Sequence, residues 1–119
     1  MRFPLLGLAI TALLGRAALA QGQADSARAG LYVWGAEVET FQPCGSDSVY
    51  WVLSSPAVLQ QLRKMHQSLT TRPYAPIYVR VRGARSDQKP DGFAEQYYGY
   101  YRITRVMEMH RVMPSECKR

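Results

Sequence analysis

Hydrophobic and polar positions alternate in several parts of the chain, and a period of two predicts β-strands. In the segment GLYVWGAEVETF (residues 30–41), Glu37, Glu39 and Phe41 fall on one face. The pattern predicts a half-buried strand that bends or bulges at Gly35. We expect the two glutamates to form its solvated side, since nothing else in the chain completes a carboxylate pair for acid–base catalysis.

Three further segments are rich in β-branched or aromatic residues and predict strands. The first is SVYWVLS (residues 48–54), which follows the turn sequence QPCGSD. The second, APIYVRVRG (residues 75–83), places Ile77, Val79 and Val81 on one face. The last strand is expected from about Tyr100 to Met109.

A helix is predicted between SVYWVLS and APIYVRVRG. Ser55 is a suitable N-cap and Pro56 suits the first helical position. An apolar stripe follows at helical spacing, with His66 at its rim; its members are Val58, Leu59, Leu62, Met65 and Leu69. The sequence therefore predicts a mainly β domain with one helix, in the order strand, strand, helix, strand, strand.

The N-terminal residues have the three-part pattern of a secretory signal peptide. Arg2 precedes an apolar run, and Ala18 to Ala20 provide a small-x-small cleavage site. The run is shorter than the roughly 18 residues that cross a bilayer, although an uncleaved anchor is the alternative. We therefore predict a signal peptide at 1–20, a flexible lead-in at 21–29 and one domain at 30–119, which is periplasmic or secreted and has no stable membrane span.

Charge narrows the classes of partner. The chain has 15 lysines and arginines against nine acidic residues, and two of these arginines lie in the predicted leader, which leaves a net charge of +4. Charges of both signs are spread along the chain, as on a soluble surface. For an exported protein, an envelope protein or a glycan is the expected partner and nucleic acid is not.

The two cysteines, Cys44 and Cys117, favour a disulfide. An even number of cysteines in an exported chain predicts such a bond. The alternatives are weaker, because a thiol nucleophile needs a base and a zinc site needs closely spaced ligands. Only His66 and His110 are available, and all four residues are scattered.

In this order, these segments resemble the C-terminal OB-fold domain of NlpE-type envelope lipoproteins, a family linked to copper homeostasis, adhesion and envelope stress. The resemblance rests on GAEVETFQPCGSDSVYWV, the helix AVLQQLRKM, the strand APIYVRVRG and the terminal PSEC. It implies a small Greek-key barrel of about five strands, with a disulfide between Cys44 and Cys117. The chain lacks the Cys-x-x-Cys domain and the lipidated cysteine of that family, so the resemblance leaves an exported module without a clear signalling role.

Two groups of side chains are candidates for binding. In MEMHRVM, the soft ligands Met107, Met109, His110 and Met113 would suit Cu(I), with Met107 and Met109 on one strand face; packing in the core is the alternative. Tyrosines beside arginines form a possible ligand face, as OB-folds hold bases or sugars; this set is Tyr97, Tyr98, Tyr100, Tyr101, Arg80 and Arg82.

No catalytic set of residues is recognisable. The chain contains no Ser-His-Asp pattern, phosphate-binding glycine loop or closely spaced metal motif. We therefore predict a non-enzymatic, exported OB-fold module that binds or stabilises a component of the bacterial cell envelope and needs no cofactor. The alternative is a periplasmic copper-tolerance protein that uses the methionine and histidine cluster.

Overall fold

The computed structural model describes residues 25–112, 115 and 117. Five strands and one α-helix make up the domain, and a short 3-10 helix, Gly92–Gln96, lies in the connection between the last two strands. In chain order the elements are β1 (Ser26–Gly35), β2 (Val38–Pro43), β3 (Tyr50–Leu53), α1 (Pro56–Leu69), β4 (Ile77–Ser86) and β5 (Tyr100–Arg111).

The strands close into a barrel in the order β1-β2-β3-β5-β4, with β4 paired to β1. Every pair is antiparallel except β3 and β5, which run parallel. A five-stranded barrel with one helix between β3 and β4 is the OB-like Greek-key architecture expected from the sequence. The predicted fold class is therefore confirmed.

The N-terminal part of the barrel differs from the prediction in two ways. The segment 30–41 is a hairpin, in which Gly35 pairs with Val38 across the turn residues Ala36 and Glu37. Glu37 has a left-handed φ of 60°, which turns the chain where a single bent strand was expected. Three strands therefore precede the helix. In addition, β1 begins at Ser26, because residues 26–29 pair with β4, so this part of the predicted lead-in is strand.

The core is built from side chains that point into the barrel. Ile77, Val79 and Val81 are almost fully buried, as their shared face predicts. Gly30 faces the ring of Phe41, where a Cβ atom would lie only 2.5 Å from the nearest ring carbon. The remaining buried members of the cluster are Tyr32, Tyr50, Val52, Leu62, Tyr101 and Ile103.

Helix α1 covers the end of the barrel where β3 ends and β4 begins. Its N-cap is Ser55, whose hydroxyl accepts a hydrogen bond from the Val58 amide at 3.2 Å, and Pro56 begins the helix as predicted. Leu62 is fully buried, whereas Met65 is 38% exposed and leaves the predicted stripe. His66, one turn after Leu62, takes the inward position.

The prediction that His66 lies at the rim is wrong. Its side chain is buried, and Nε2 lies 2.7 Å from the carbonyl oxygen of Ala75, to which it donates a hydrogen bond. The rings of Tyr32 and Trp34 lie edge-on to the imidazole, each with its centroid 5.9 Å away. Burial of this polar ring is tolerated because its nitrogen has a partner.

Of the two glutamates predicted to be solvated, Glu37 is exposed as expected and Glu39 is not. Glu37 lies in the hairpin turn, while Glu39 is buried in β2. Arg63 of α1 binds the Glu39 carboxylate through two hydrogen bonds, at 2.9 and 2.5 Å, and the Tyr32 hydroxyl donates a third at 2.6 Å. The solvated role predicted for Glu39 is therefore wrong, because a helix residue 24 positions away supplies its counter-charge.

Cys44 and Cys117 form the predicted disulfide, which joins the turn after β2 to a residue 73 positions later.

The predicted signal peptide at 1–20 lies outside the described residues. Within residues 25–112, no helix has the length and apolar character needed to cross a bilayer.

Candidate ligand-binding site

The end of the barrel opposite α1 is open and polar. The inward-facing rows of β1 and β4 are apolar in the middle of the barrel and end in charged residues. On β1, Arg28 lies at the open end of the row that contains Tyr32 and Gly30. On β4, Arg85 lies at the open end of the row that contains Val81 and Gly83. Because side chains alternate along a strand, the period of two that builds the core also directs these two guanidinium groups to the opening.

A cavity of about 330 Å³ lies at this open end, which we call the mouth. Arg28 and Arg85 are the charged residues of its lining. The other lining residues are Ser26, Pro43, Ser46, Ser48, Tyr50, Ala84, Tyr98 and Tyr101. Two cations, three phenols and three hydroxyls make the mouth an environment rich in hydrogen-bond donors.

Tyrosine rings lead from the mouth into the core. Tyr98 is 66% exposed and lies edge-on to Tyr50, with ring centroids 5.4 Å apart. Tyr50 lies edge-on to the buried Tyr101 at 5.6 Å, and Tyr101 packs on Phe41 at 4.7 Å. This continuous aromatic packing fixes the phenols of the mouth on the rigid barrel.

The electrostatics of the mouth reflect these positions. Burial raises the pKa of Tyr101, and the positive charges of Arg28 and Arg85 oppose that rise. A side-chain hydrogen bond to Tyr50 raises the pKa of Arg85. The Tyr101 phenol is therefore neutral at pH 7, and the Arg85 guanidinium is charged.

The disulfide turn forms one wall of the mouth. The Cys44 amide donates a hydrogen bond to the Ala29 carbonyl at 2.9 Å. Gln42 Nε2 donates to the Ser46 carbonyl at 2.7 Å, and the Ser48 amide donates to Ser46 Oγ at 3.0 Å. These contacts hold Ser46 and Ser48 at the rim.

The charged residues of the mouth are suited to binding an anion. Guanidinium groups bind carboxylates and phosphates through paired hydrogen bonds. Among the described lining residues there is no carboxylate, histidine or thiol that would act as a general base or an activated nucleophile.

The residues predicted as one ligand face occupy different places. Tyr98 and Tyr101 line the mouth, whereas Tyr100 is buried under the β4–β5 connection, where its hydroxyl donates to Asp91 Oδ1 at 2.7 Å. That hydrogen bond is the main reason that the pKa of Tyr100 is raised. Tyr97 packs beside Trp51 outside the barrel, with ring centroids 5.5 Å apart. Arg80 and Arg82 are exposed on the outer side of β4, away from its buried valines.

Arg28 was missed because it lies in the segment predicted to be a flexible lead-in. Arg28, Gly30 and Tyr32 are each two positions apart, so the alternation of side chains along a strand could have placed Arg28 on the inward-facing row. Arg85 has the corresponding spacing with Val79 and Val81 on β4.

The methionine and histidine group is separated by an irregularity in β5. The pairing of β5 with β4 shifts register between Val106 and Glu108. Met109 packs against the core, whereas Met107 is 45% exposed, so the predicted shared face is wrong. His110 stacks on Tyr78 with ring centroids 4.4 Å apart. Met113 lies outside the described residues, and the described residues contain no group of three His, Cys, Asp or Glu side chains arranged to hold a metal ion.

A second cavity, of about 500 Å³, lies at the helix-covered end beside Trp34 and His66. The buried imidazole there already donates to Ala75, and Arg72 is the one charged residue of the described lining. This cavity therefore offers fewer polar groups to a ligand than the mouth does.

Comparison with known proteins finds no match to a protein family, a curated protein or a solved structure. The resemblance to the NlpE-type domain therefore stays a prediction.

Proposed function

We propose that this protein is an exported, non-enzymatic OB-fold module of the bacterial cell envelope, and that its mouth binds an anionic group of an envelope component. The observation that carries the proposal is the convergence of Arg28 and Arg85 with three tyrosine hydroxyls around one cavity. Two guanidinium groups at one opening attract an anion, and the phenols and serines supply further donors to its oxygens.

Preorganisation supports this role. Arg28 and Arg85 lie on strands of a closed barrel, as does Ser26, and Ser46 and Ser48 lie in the loop that the disulfide joins to Cys117. A site built on rigid elements loses little conformational entropy when a ligand binds. The disulfide is compatible with an oxidising compartment, as the proposed export requires.

Titration with a small anion tests the binding proposal. D-glucuronate is the probe and uncharged D-glucose is the matched neutral sugar, with affinities measured from amide chemical shifts. The double variant R28Q/R85Q is expected to weaken glucuronate binding at least about tenfold, since charged hydrogen bonds contribute roughly 1.5–3 kcal/mol each. The control R80Q/R105Q removes the same charge from two exposed positions, Arg80 on β4 and Arg105 on β5, and is expected to change the affinity less than about twofold. Equal losses in the two variants would show a nonspecific charge effect and contradict the proposal.

Export is tested separately. The mature protein is expected in the periplasmic or culture fraction with Gln21 as its N-terminal residue by mass spectrometry. Its two cysteines should resist alkylation until a reductant is added. An intact N-terminus on a protein retained in the cytoplasm would contradict this part of the proposal.

A further inference from the structure

A partly exposed aromatic cluster lies next to the mouth. Trp51 points out of β3, and Phe93 and Tyr97 of the β4–β5 connection pack beside it. The Trp51 and Phe93 rings are stacked, with centroids 6.4 Å apart and 28° between their planes. Phe93 is 56% exposed. We call these three residues the aromatic ledge. Apolar rings clustered at the surface typically mark an interaction site.

A groove connects the mouth with the aromatic ledge. It has a volume of about 580 Å³ and is lined by Asp47, Ser48, Val49, Gln96, Tyr97 and Tyr98. Ser48 and Tyr98 also line the mouth, and Tyr97 also belongs to the ledge. The three sites therefore form one continuous surface.

Backbone hydrogen bonds hold this surface in place. The Tyr98 amide donates to the Val49 carbonyl at 2.9 Å, and the Trp51 amide donates to the Gly99 carbonyl at 2.8 Å. These bonds extend the parallel pairing of β3 and β5 into the connection. The aromatic rings are thus fixed relative to the mouth before any ligand binds.

The distribution of charge indicates what kind of ligand fits. Positive charge lies at the mouth, whereas the described lining residues of the groove include Asp47 and no lysine or arginine. A single-stranded nucleic acid has a phosphate at every nucleotide and needs a basic track beside its stacked bases. The surface is better suited to a chain in which an anionic unit adjoins neutral units rich in hydroxyls.

A peptide fits less well for a different reason. Extended peptides commonly bind by adding a strand to an open sheet edge. The five described strands close into a barrel, so each has neighbours on both sides. Recognition must then use side chains, and flat rings with amide, hydroxyl and carboxylate neighbours are suited to sugar rings.

We infer that the ligand of this surface is an acidic glycan chain, which places a carboxylate-bearing sugar in the mouth and a neighbouring neutral sugar against the aromatic ledge. This inference rests on the proposed function, because it assigns the anion at the mouth to a uronic acid. The inference adds that the affinity depends on the length of the glycan and on Trp51, Phe93 and Tyr97.

The test compares two defined probes, D-glucuronate and a tetrasaccharide of alternating glucuronate and N-acetylglucosamine. The tetrasaccharide is expected to bind at least about tenfold more tightly, because stacking on aromatic rings adds to the contacts at the mouth. The double variant F93A/Y97A should remove most of this gain while changing the affinity for glucuronate less than about twofold. As a control, Y74A removes another exposed aromatic ring, near the helix-covered end, and should leave both affinities unchanged.

The outcomes separate the two proposals. If glucuronate binding depends on Arg28 and Arg85 but the tetrasaccharide gains nothing, the glycan inference is overturned and the proposed function stands. If neither probe binds at millimolar concentration, both fail. Tighter binding of a thymidine tetranucleotide or of tetraglutamate than of the tetrasaccharide would overturn the glycan inference in favour of nucleic acid or acidic peptide.

Discussion

Replacing Arg63 with methionine is expected to destabilise the fold more than neutralising its partner Glu39. The two side chains differ in exposure, since the Glu39 side chain is 8% exposed and that of Arg63 is 41% exposed. In R63M the buried carboxylate keeps the hydrogen bond from Tyr32 but loses both bonds to the guanidinium. In E39Q the arginine left behind can reach water.

The magnitudes follow from these exposures. Breaking a fully buried pair costs about 3–5 kcal/mol, and an exposed pair contributes about 0–1 kcal/mol. Because Arg63 is partly exposed, we expect R63M to lower the free energy of unfolding by about 2–3 kcal/mol. E39Q should lower it by about 1 kcal/mol, the typical net contribution of one hydrogen bond. The double variant should be more stable than R63M alone, since it leaves no unpaired buried charge.

Urea unfolding monitored by tryptophan fluorescence gives the three free energies and therefore the coupling energy of the pair. A coupling energy of about 2 kcal/mol is expected, within the usual range for contacting residues. If the single-variant losses add in the double variant, or if E39Q is the more damaging change, the buried carboxylate is not the residue that needs its partner and this explanation is wrong.

Three further predictions concern the stability of the fold. Replacing Cys44 and Cys117 with serine should lower the free energy of unfolding by about 4 kcal/mol, because the bond closes a long loop; an unchanged urea midpoint would contradict this. A Cβ atom at Gly83 would collide with a backbone carbonyl of β5, so G83A should cost about 1–3 kcal/mol. The control G99A has only ordinary contacts and should change stability by less than about 0.5 kcal/mol, and similar midpoints for the two variants would refute the steric argument. Burial raises the pKa of Tyr32, with its hydrogen bond to a carboxylate contributing as well. The unfolded chain therefore loses this proton near pH 10 while the folded chain keeps it, so stability should be constant up to about pH 10 and fall above it. Urea titrations from pH 8 to 11 should show a shallower fall for Y32F, and an equal slope would contradict the assignment.

Local patterns were sufficient to predict most of the fold. Ile77, Val79 and Val81 are β-branched and alternate with polar residues, so propensity and periodicity favour the same strand. Ser55 and Pro56 likewise mark the start of the helix, because capping depends on adjacent residues alone. The turn at Glu37 was missed, since the left-handed position that usually signals a hairpin by glycine or asparagine holds a glutamate.

The candidate site and the buried ion pair both depend on contacts between distant parts of the chain. Arg28 lies on the inward row only because residues 26–29 pair with β4, and the local sequence there is small and polar. Glu39 is buried only because α1 brings Arg63 to it. The tyrosines near Gly99 were recognisable as candidates, but their division between mouth, ledge and buried interior depends on how the β4–β5 connection folds over β3.

The way the barrel closes has a consequence for the timing of folding. The pairings that complete it join distant residues, such as Tyr32 with Ile77 and Trp51 with Tyr100. Such a high contact order slows folding, because chain entropy is lost before these contacts form. Until β5 has been synthesised, β3 lacks its parallel neighbour and β4 lacks one of its two neighbours. We therefore expect a nascent chain that ends before Tyr100 to stay unfolded, with open strand edges that a chaperone would need to protect from aggregation.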